Sequence, residues 1–458
     1  MNATAHLDEP PITPLYLQLA PNDPIEYGSV NVELPGINGG PSLQSTALFV
    51  ERFSQGASLE VIVPLPESPN FVAGFSDAHV RMRQQKTKLH LPDYGTSIGA
   101  ICTHSSIERV VYHPDQSPIQ IRPASTEITN VIFHLFNWPA IRGPENYVLL
   151  TGTPPLQGAR GCGRFRLEVD DWIITVAEFR ESDEVIKRLE QDGGYAITHV
   201  GNIERLNGQQ FSTEQLNNLL ACLGYFFSFV LGRWSMPSLA VGVDASGNRV
   251  YEHWGLGQTT AGHWSGGNSL FDRQHAELLP SLFPGFWRLW HDLIWHRPLT
   301  EAIYWYLGAN NVGSGVNVDS GLLFTQAALE LLSWTYCVLD KKTASKTSFE
   351  KRLTAAQKLS LLTSALNIPN GIPTSMKVLN NTPGSKWTDS MHVITDLRNG
   401  LVHPKSRIPP SPGTYFEAWQ LSLWYIDLIL LRLCDYNEKY SNRLAARWAG
   451  QVEDVPWK

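Results

Sequence analysis

The sequence is poor in several things that usually announce a function. Its five cysteines, Cys102, Cys162, Cys222, Cys337 and Cys434, are scattered singly. With no C-x-x-C and no Cys/His group at zinc spacing, a disulfide framework and a structural zinc are both disfavoured, which fits a reducing compartment. His253, His263, His275, His291 and His296 share no recognised metal spacing. There is no G-x-x-x-x-G-K-[ST] and no G-x-S-x-G, and Gly161-Cys162-Gly163 lacks the rest of a dinucleotide fingerprint. No metal and no cofactor are therefore expected. The first residues, M-N-A-T-A-H-L-D-E-P-P, have neither a basic start nor an apolar stretch, so no secretory signal is read there. Ala221–Leu231 is too short to span a bilayer, and Trp419–Cys434 contains Asp427 and Arg432. Both read as buried helices, and the expectation is a cytoplasmic protein without a membrane segment. Charged residues make up only 17% and the net charge is −7, which excludes a general nucleic-acid coat protein.

What is present is a long globular chain. Its 458 residues, 43% of them hydrophobic, suffice for two or three domains with sizeable cores. Residues 1–180 read as β-rich. Short β-prone runs at 29–34, 46–53, 58–65, 80–91, 108–113, 119–122, 130–136 and 147–151 are punctuated by Pro, Gly, Asn and Asp. Residues 165–179 continue the series, and Arg164-Phe-Arg-Leu-Glu-Val alternates polar and apolar as a half-buried strand does. This spacing predicts a sandwich or a strongly bent sheet, with no βαβ alternation.

Residues 181–311 read as an α+β extension. Helices are expected at 182–191 and 213–231, the second capped by Ser212, with a strand at 195–200 between them. Residues 239–243 and 249–253 form a hairpin around Asp244-Ala-Ser-Gly-Asn248. The stretch 254–295 is rich in Trp. It reads as a docking core rather than a ligand pocket, because Trp287, Trp290 and Trp295 fall near helical spacing. The remainder, 312–458, reads as an antiparallel helical bundle entered through Gly313-Ser314-Gly315. Helices are expected at 321–339, 349–366, 388–403 and 415–444, with 299–308 just before them. The fold class is α+β: a β-rich, sandwich-like N-terminal region, an α+β extension and a C-terminal bundle.

Charge is unevenly placed. Residues 1–311 hold 20 Lys+Arg against 31 Asp+Glu, and residues 312–458 hold 16 against 12. The C-terminal third is the better candidate for meeting a polyanion. Within it, T-D-S-M-H-V-I-T-D-L-R-N-G-L-V-H-P at 388–404 makes an amphipathic helix. At about 100° per residue, Ile394, Leu397 and Leu401 form a core stripe. His392, Thr395, Asp396, Asn399 and His403 share the polar face, and Arg398 sits at the border near Met391. Pro404 ends the helix near His403, where the macrodipole favours a protonated imidazole. A guanidinium, an amide and a proton-exchanging imidazole suit a phosphodiester.

Arg398, Asn399 and His403 make an R-N-x-x-x-H pattern, and with the bundle around it the region resembles the HEPN superfamily, of the Apea-like ribonuclease type. The resemblance covers about residues 312–450. It implies a metal-independent endoribonuclease that joins two motif helices in a homodimer. It assigns His403 acid–base work, Arg398 phosphate binding and transition-state stabilisation, and Asn399 orientation of the two. The RNA 2′-OH attacks its own phosphate, leaving a 2′,3′-cyclic phosphate and a 5′-OH. Proteins of this layout are similar to anti-phage, abortive-infection or toxin effectors. That places a sensor for a phage-derived or small-molecule trigger in the N-terminal region.

Other residues carry weaker expectations. Glu330 interrupts an apolar helix, so it is read as orienting Arg398 or His403, as one half of a structural ion pair, or as a residue on the solvent edge. Asp396 is a supporting residue or a solvated helix charge. Lys405 and Arg407, and Lys341 and Lys342 in the run that continues through Lys346, Lys351, Arg352 and Lys358, are RNA-backbone candidates, or simply a solvated face. The alternative function is a non-catalytic dimerisation or nucleotide-binding module. A weaker third is a binder centred on the β-rich half near Trp254–Trp264.

Overall fold

A computed structural model describes residues 12–458 apart from 35–41, 54–55, 66–85, 107, 123, 144–146, 152–157, 258–261, 263, 265–268, 312–316, 383–385, 404–409 and 446–447. The protein is α+β, β-rich in its first part and helical in its last. The expected 313–315 hinge, and Lys405 and Arg407, lie outside the described residues.

The first six strands do not form a sandwich. β1 (Ile25–Leu34), β2 (Leu43–Arg52), β3 (Ser58–Pro64), β4 (Lys86–Leu91), β5 (Thr96–Ser105) and β6 (Arg109–Pro114) close into a barrel of order β1-β2-β3-β6-β5-β4. Closure is made where Glu33 of β1 pairs with His90 of β4. A closed barrel leaves no strand edge open, which a small sheet otherwise has to protect. Alternate residues point inward: Val30, Val32 and Leu34 on β1, Val61 and Val63 on β3, Ile98, Ala100 and Cys102 on β5. β5 escaped the sequence reading because T-S-I-G-A-I-C-T-H-S is small and weakly β-prone.

A seven-stranded sheet follows, with β7 (Ile119–Gln120), β8 (Asn130–Phe136), β11 (Arg164–Val169), β12 (Trp172–Glu178), β13 (Ile197–Arg205), β14 (Ser238–Val243) and β15 (Arg249–Trp254) in the order β11-β12-β13-β8-β14-β15-β7. β9 (Tyr147–Thr151) and β10 (Gly158–Cys162) pair separately. The expected division at residue 180 falls inside this sheet, since β12 and β13 pair directly across it. The helix α1 (Ser182–Asp192) is the connection between them. α2 (Thr213–Leu231) begins at a capping box between Ser212 and Gln215 and ends at Gly232 in the left-handed region, a Cβ-free stop. Its apolar side shares one continuous core with the sheet residues Val131, Phe133 and Leu135.

Two clasps join barrel and sheet. Trp254, the last residue of β15, sits in the barrel's core, stacked 5.5 Å from Tyr27 and tilted against Phe49 at 5.1 Å. Its indole N–H donates to Glu252, which also accepts from the Tyr16 hydroxyl and ion-pairs with Arg122 and Arg249. The chain before β1 is tied down by His134. The backbone N–H groups of Leu15 and Tyr16 both donate to its Nε2, so the proton sits on Nδ1, facing the Leu239 carbonyl. Burial lowers this imidazole to about 4, which keeps Nε2 free to accept.

The helical part comprises α3 (Leu278–His291), α4 (His296–Asn310), α5 (Val318–Trp334, continued by a π turn over Thr335–Asp340), α6 (Lys346–Lys351), α7 (Ala355–Ala365), α8 (Lys377–Asn380), α9 (Ser390–Val402) and α10 (Pro412–Leu433). Gly285 of α3 lies against the Cys434 carbonyl, where any Cβ would collide with backbone. Trp290 and Trp295 are buried in the core that the sheet and the helices share. The single helix expected at 349–366 is broken, because Thr354 opens a new capping box with Gln357. The last helix stops at Leu433 rather than Leu444, with Asp435 at φ 55 turning the chain.

α5 with its π turn, Val318–Asp340, is long and apolar enough to cross a membrane by length and composition. In the fold it packs against α4, α7, α9 and α10. α5 and α10 run parallel. The Ser422 hydroxyl donates to Thr325 at 2.8 Å, the charge of Asp319 reaches Tyr415 near one end, and Lys341 and Arg432 flank Tyr336 at the other.

Candidate functional site

α9 begins at Asp389, whose carboxylate accepts the His392 N–H, and ends at His403, whose N–H bonds the Asn399 carbonyl at 2.8 Å. Met391, Val393, Ile394, Thr395 and Leu397 are buried. Thr395 corrects the helical-wheel reading, which put it on the polar face. α5, α7 and α10 all pack on α9, so more than one side is covered. Leu401, expected in the core stripe, is only half-buried.

At the C-terminal turn the Arg398 Nη1 donates to the Asn399 Oδ1 at 3.1 Å. Arg398 is half-buried, and its Nε is enclosed without a partner. Thr395 Oγ1 on the same helix and Gln326 Oε1 on the adjoining α5 are likewise buried without partners. His403 is exposed, and among the described residues its ring makes no hydrogen bond. Arg398, Asn399 and His403 are therefore gathered on the last turn and a half of one helix, with Arg398 and His403 on different sides of it.

The supporting residues lie differently from expectation. Glu330 accepts the Gln326 amide at 2.7 Å within its own helix, and bonds neither Arg398 nor His403. Asp396 is exposed and accepts the Trp387 indole N–H at 2.8 Å. His392, read on the polar face, is committed to the helix start through Asp389 at 2.9 Å and Thr388 at 2.7 Å. Sequence reading missed Tyr415. Its hydroxyl lies 4.0 Å from where a Cβ on Gly400 would stand, and burial, then the charges of Asp319 and Asp396, raise its phenol above the ordinary range. Gly400 inside the motif was the one available signal of a close neighbour.

Lys341 and Lys342 are not beside Arg398. The α9 end meets α10 at Tyr415, which Asp319 at the start of α5 also approaches, whereas Lys341 and Lys342 follow the far end of α5. From Asp319 to Asp340 along the helix is about 30 Å at ~1.5 Å per residue, and Lys341 and Lys342 follow it. The two groups cannot cradle one phosphate.

Comparison with known proteins shows what the chain is similar to. Residues 292–454 match the family model of the YopA C-terminal domain. Residues 123–265 match that of the YopA central domain. The chain is also 29% identical over 301 residues to the "SPbeta prophage-derived uncharacterized protein YopA" of Bacillus subtilis (strain 168), covering 65% of this chain and 66% of that protein. No solved structure matches. The HEPN resemblance is thereby corrected: no HEPN family matches, and the bundle matches the YopA C-terminal domain model instead. A motif of three residues on one helix turn specifies too little to name a fold, whereas the YopA match runs through α4 to β17 (Glu453–Asp454). The YopA central range holds the seven-stranded sheet from β8 to β15 and α2, and the barrel lies outside both ranges.

Proposed function

We propose that the C-terminal turn of α9 binds and cleaves RNA phosphodiesters without a metal, leaving 2′,3′-cyclic phosphate and 5′-OH ends. The observation that carries the reading is the pairing of an Arg398 guanidinium held by Asn399 with an exposed, uncommitted His403 imidazole one turn on. Imidazole is the side chain that exchanges protons near neutral pH, and a guanidinium matches the charge of a crowded phosphorane. One imidazole takes the 2′-OH proton, the 2′ oxygen bonds phosphorus, the P–O5′ bond breaks, and a protonated imidazole gives its proton to the leaving 5′ oxygen. Arg398 and His403 sit about 140° apart around one helix, so two copies of the chain in a homodimer supply the two groups. In this reading the barrel, outside both YopA ranges, is the regulatory element of a conditionally active effector. The prophage origin of the Bacillus subtilis relative fits a role in phage–host conflict.

The test is cleavage of end-labelled RNA by the full chain. His403→Ala and Arg398→Ala are expected to slow cleavage by about 10²–10⁴-fold. Equal cleavage by wild type and both variants, or none by wild type, rejects the reading. A second reading, a non-catalytic module, is favoured by the burial of Arg398 Nε inside the fold rather than toward a substrate. It expects Arg398→Ala to lower the melting temperature and His403→Ala to change nothing.

A further inference from the structure

The cations after α5 form a ridge of their own. Within residues 342–352, Lys342, Lys346, Lys351 and Arg352 are exposed, and none has an ion-pair partner among the described residues. Glu350 is the only acid in that stretch. The segment is held rigidly enough to present them together. The Ala344 N–H returns to the Cys337 carbonyl at 3.1 Å, and the buried Phe349 packs edge-on to Trp334 at 5.5 Å. Ser345 caps α6 so that Lys346 starts it. Four cations without ion-pair partners, close in sequence on a chain of net charge −7, make a localised attractor for a polyanion.

The distance from the α9 end turns this ridge into a statement about substrate. We propose that the ridge is a landing surface for an RNA backbone separate from the α9 turn, so that the substrates are RNAs long enough to reach both. The inference rests on the RNA reading of the α9 turn. Phe349, among the ridge cations, packs on Trp334 rather than at the helix's far end, so the span runs from about 22 Å to about 35 Å, or roughly six to ten nucleotides at ~3.4 Å per stacked phosphate. Phosphate contacts position a nucleic acid without reading its sequence, so the ridge selects for length and not for bases.

The experiment compares a 20-nucleotide oligouridylate with a tetranucleotide. Binding is measured in the His403→Ala chain, so that RNA is not consumed, with and without Lys346→Glu, Lys351→Glu and Arg352→Glu together. A charge-neutral triple to Gln and a melting curve for each variant separate lost binding from lost folding. The triple to Glu is expected to weaken 20-mer binding at least tenfold near 0.1 M salt. It is also expected to flatten the log–log salt dependence by about 2, at ~0.7 per contact. Tetranucleotide cleavage by the otherwise wild-type chain is expected to be unchanged. Equal 20-mer affinity with and without the ridge charges overturns the proposal, as does ridge-dependent binding to phosphatidylserine vesicles with none to the 20-mer. Ridge-dependent 20-mer binding without any cleavage keeps the ridge and sinks the catalytic reading.

Discussion

Arg443→Met is expected to cost about 3–5 kcal/mol of folding stability, because it strands a buried carboxylate. Arg443 and Asp427 are both buried, with Nε 2.6 Å from Oδ2 and Nη2 3.3 Å from Oδ1. The guanidinium also donates to the Tyr306 hydroxyl at 2.7 Å and to Asn310 Oδ1 at 2.9 Å. Burial and then the Asp427 charge hold the Tyr306 phenol protonated far above its ordinary range. Four hydrogen bonds thus tie the segment after α10 to α4 and to the middle of α10. Without the cation, Asp427 has no route to water. The double variant Arg443→Met, Asp427→Leu removes both charges and is expected to recover most of the loss. Denaturant unfolding followed by tryptophan fluorescence checks it. A single variant no less stable than the double would show that the orphaned charge is not the cause.

Glu51→Gln is expected to stabilise the barrel at neutral and alkaline pH. Glu51 of β2 is fully buried, its Oε1 has no partner, and its Oε2 accepts the Leu256 N–H at 3.3 Å. Burial raises its carboxyl to about 8, and Glu60 across the ladder adds to the rise. The bonds from Leu256 and Tyr27 pull the other way. Between pH 4.5 and about 8 the folded protein therefore holds a proton that the unfolded chain releases. Stability at this site is greatest below that window and falls as pH rises through it, by about 1.4 kcal/mol per unit. From pH 5 to 8 the glutamine variant should gain on the order of 4 kcal/mol relative to wild type. Unfolding free energies of both chains across that range are the check. A difference between them that stays constant with pH sinks the assignment.

Glu51 and Arg443 also show where sequence reading stops. Neither stands out in a string of residues, because what matters is the lack of water around them. Capped and periodic elements were legible: α2 begins at Ser212 and ends at Leu231 as read, and β8 matches residues 130–136. The hairpin of β14 and β15 was read within one residue at its ends. These depend on local hydrogen bonds and on alternation along a few residues. The three residues at the α9 end were legible for the same reason, since one helix turn places Arg398, Asn399 and His403 together whatever surrounds it.

Barrel closure was not legible, because the Glu33–His90 pairing joins strands far apart in the chain, and alternation names an inward face without naming the neighbour. Nor was the antiparallel pairing of β12 with β13 across the expected boundary at residue 180. By itself the sequence determined the capped and strongly periodic helices and strands, the positive balance of the last third, and the polar turn at 398–403. Only the tertiary structure decided that Thr395 is covered, that Glu330 bonds Gln326 instead of Arg398, and that Lys342 and Asp319 lie at opposite ends of one helix. Local propensity acts over a few residues. Which charge meets which, and which side chain loses its water, is set by packing between segments that the chain brings together only once folded.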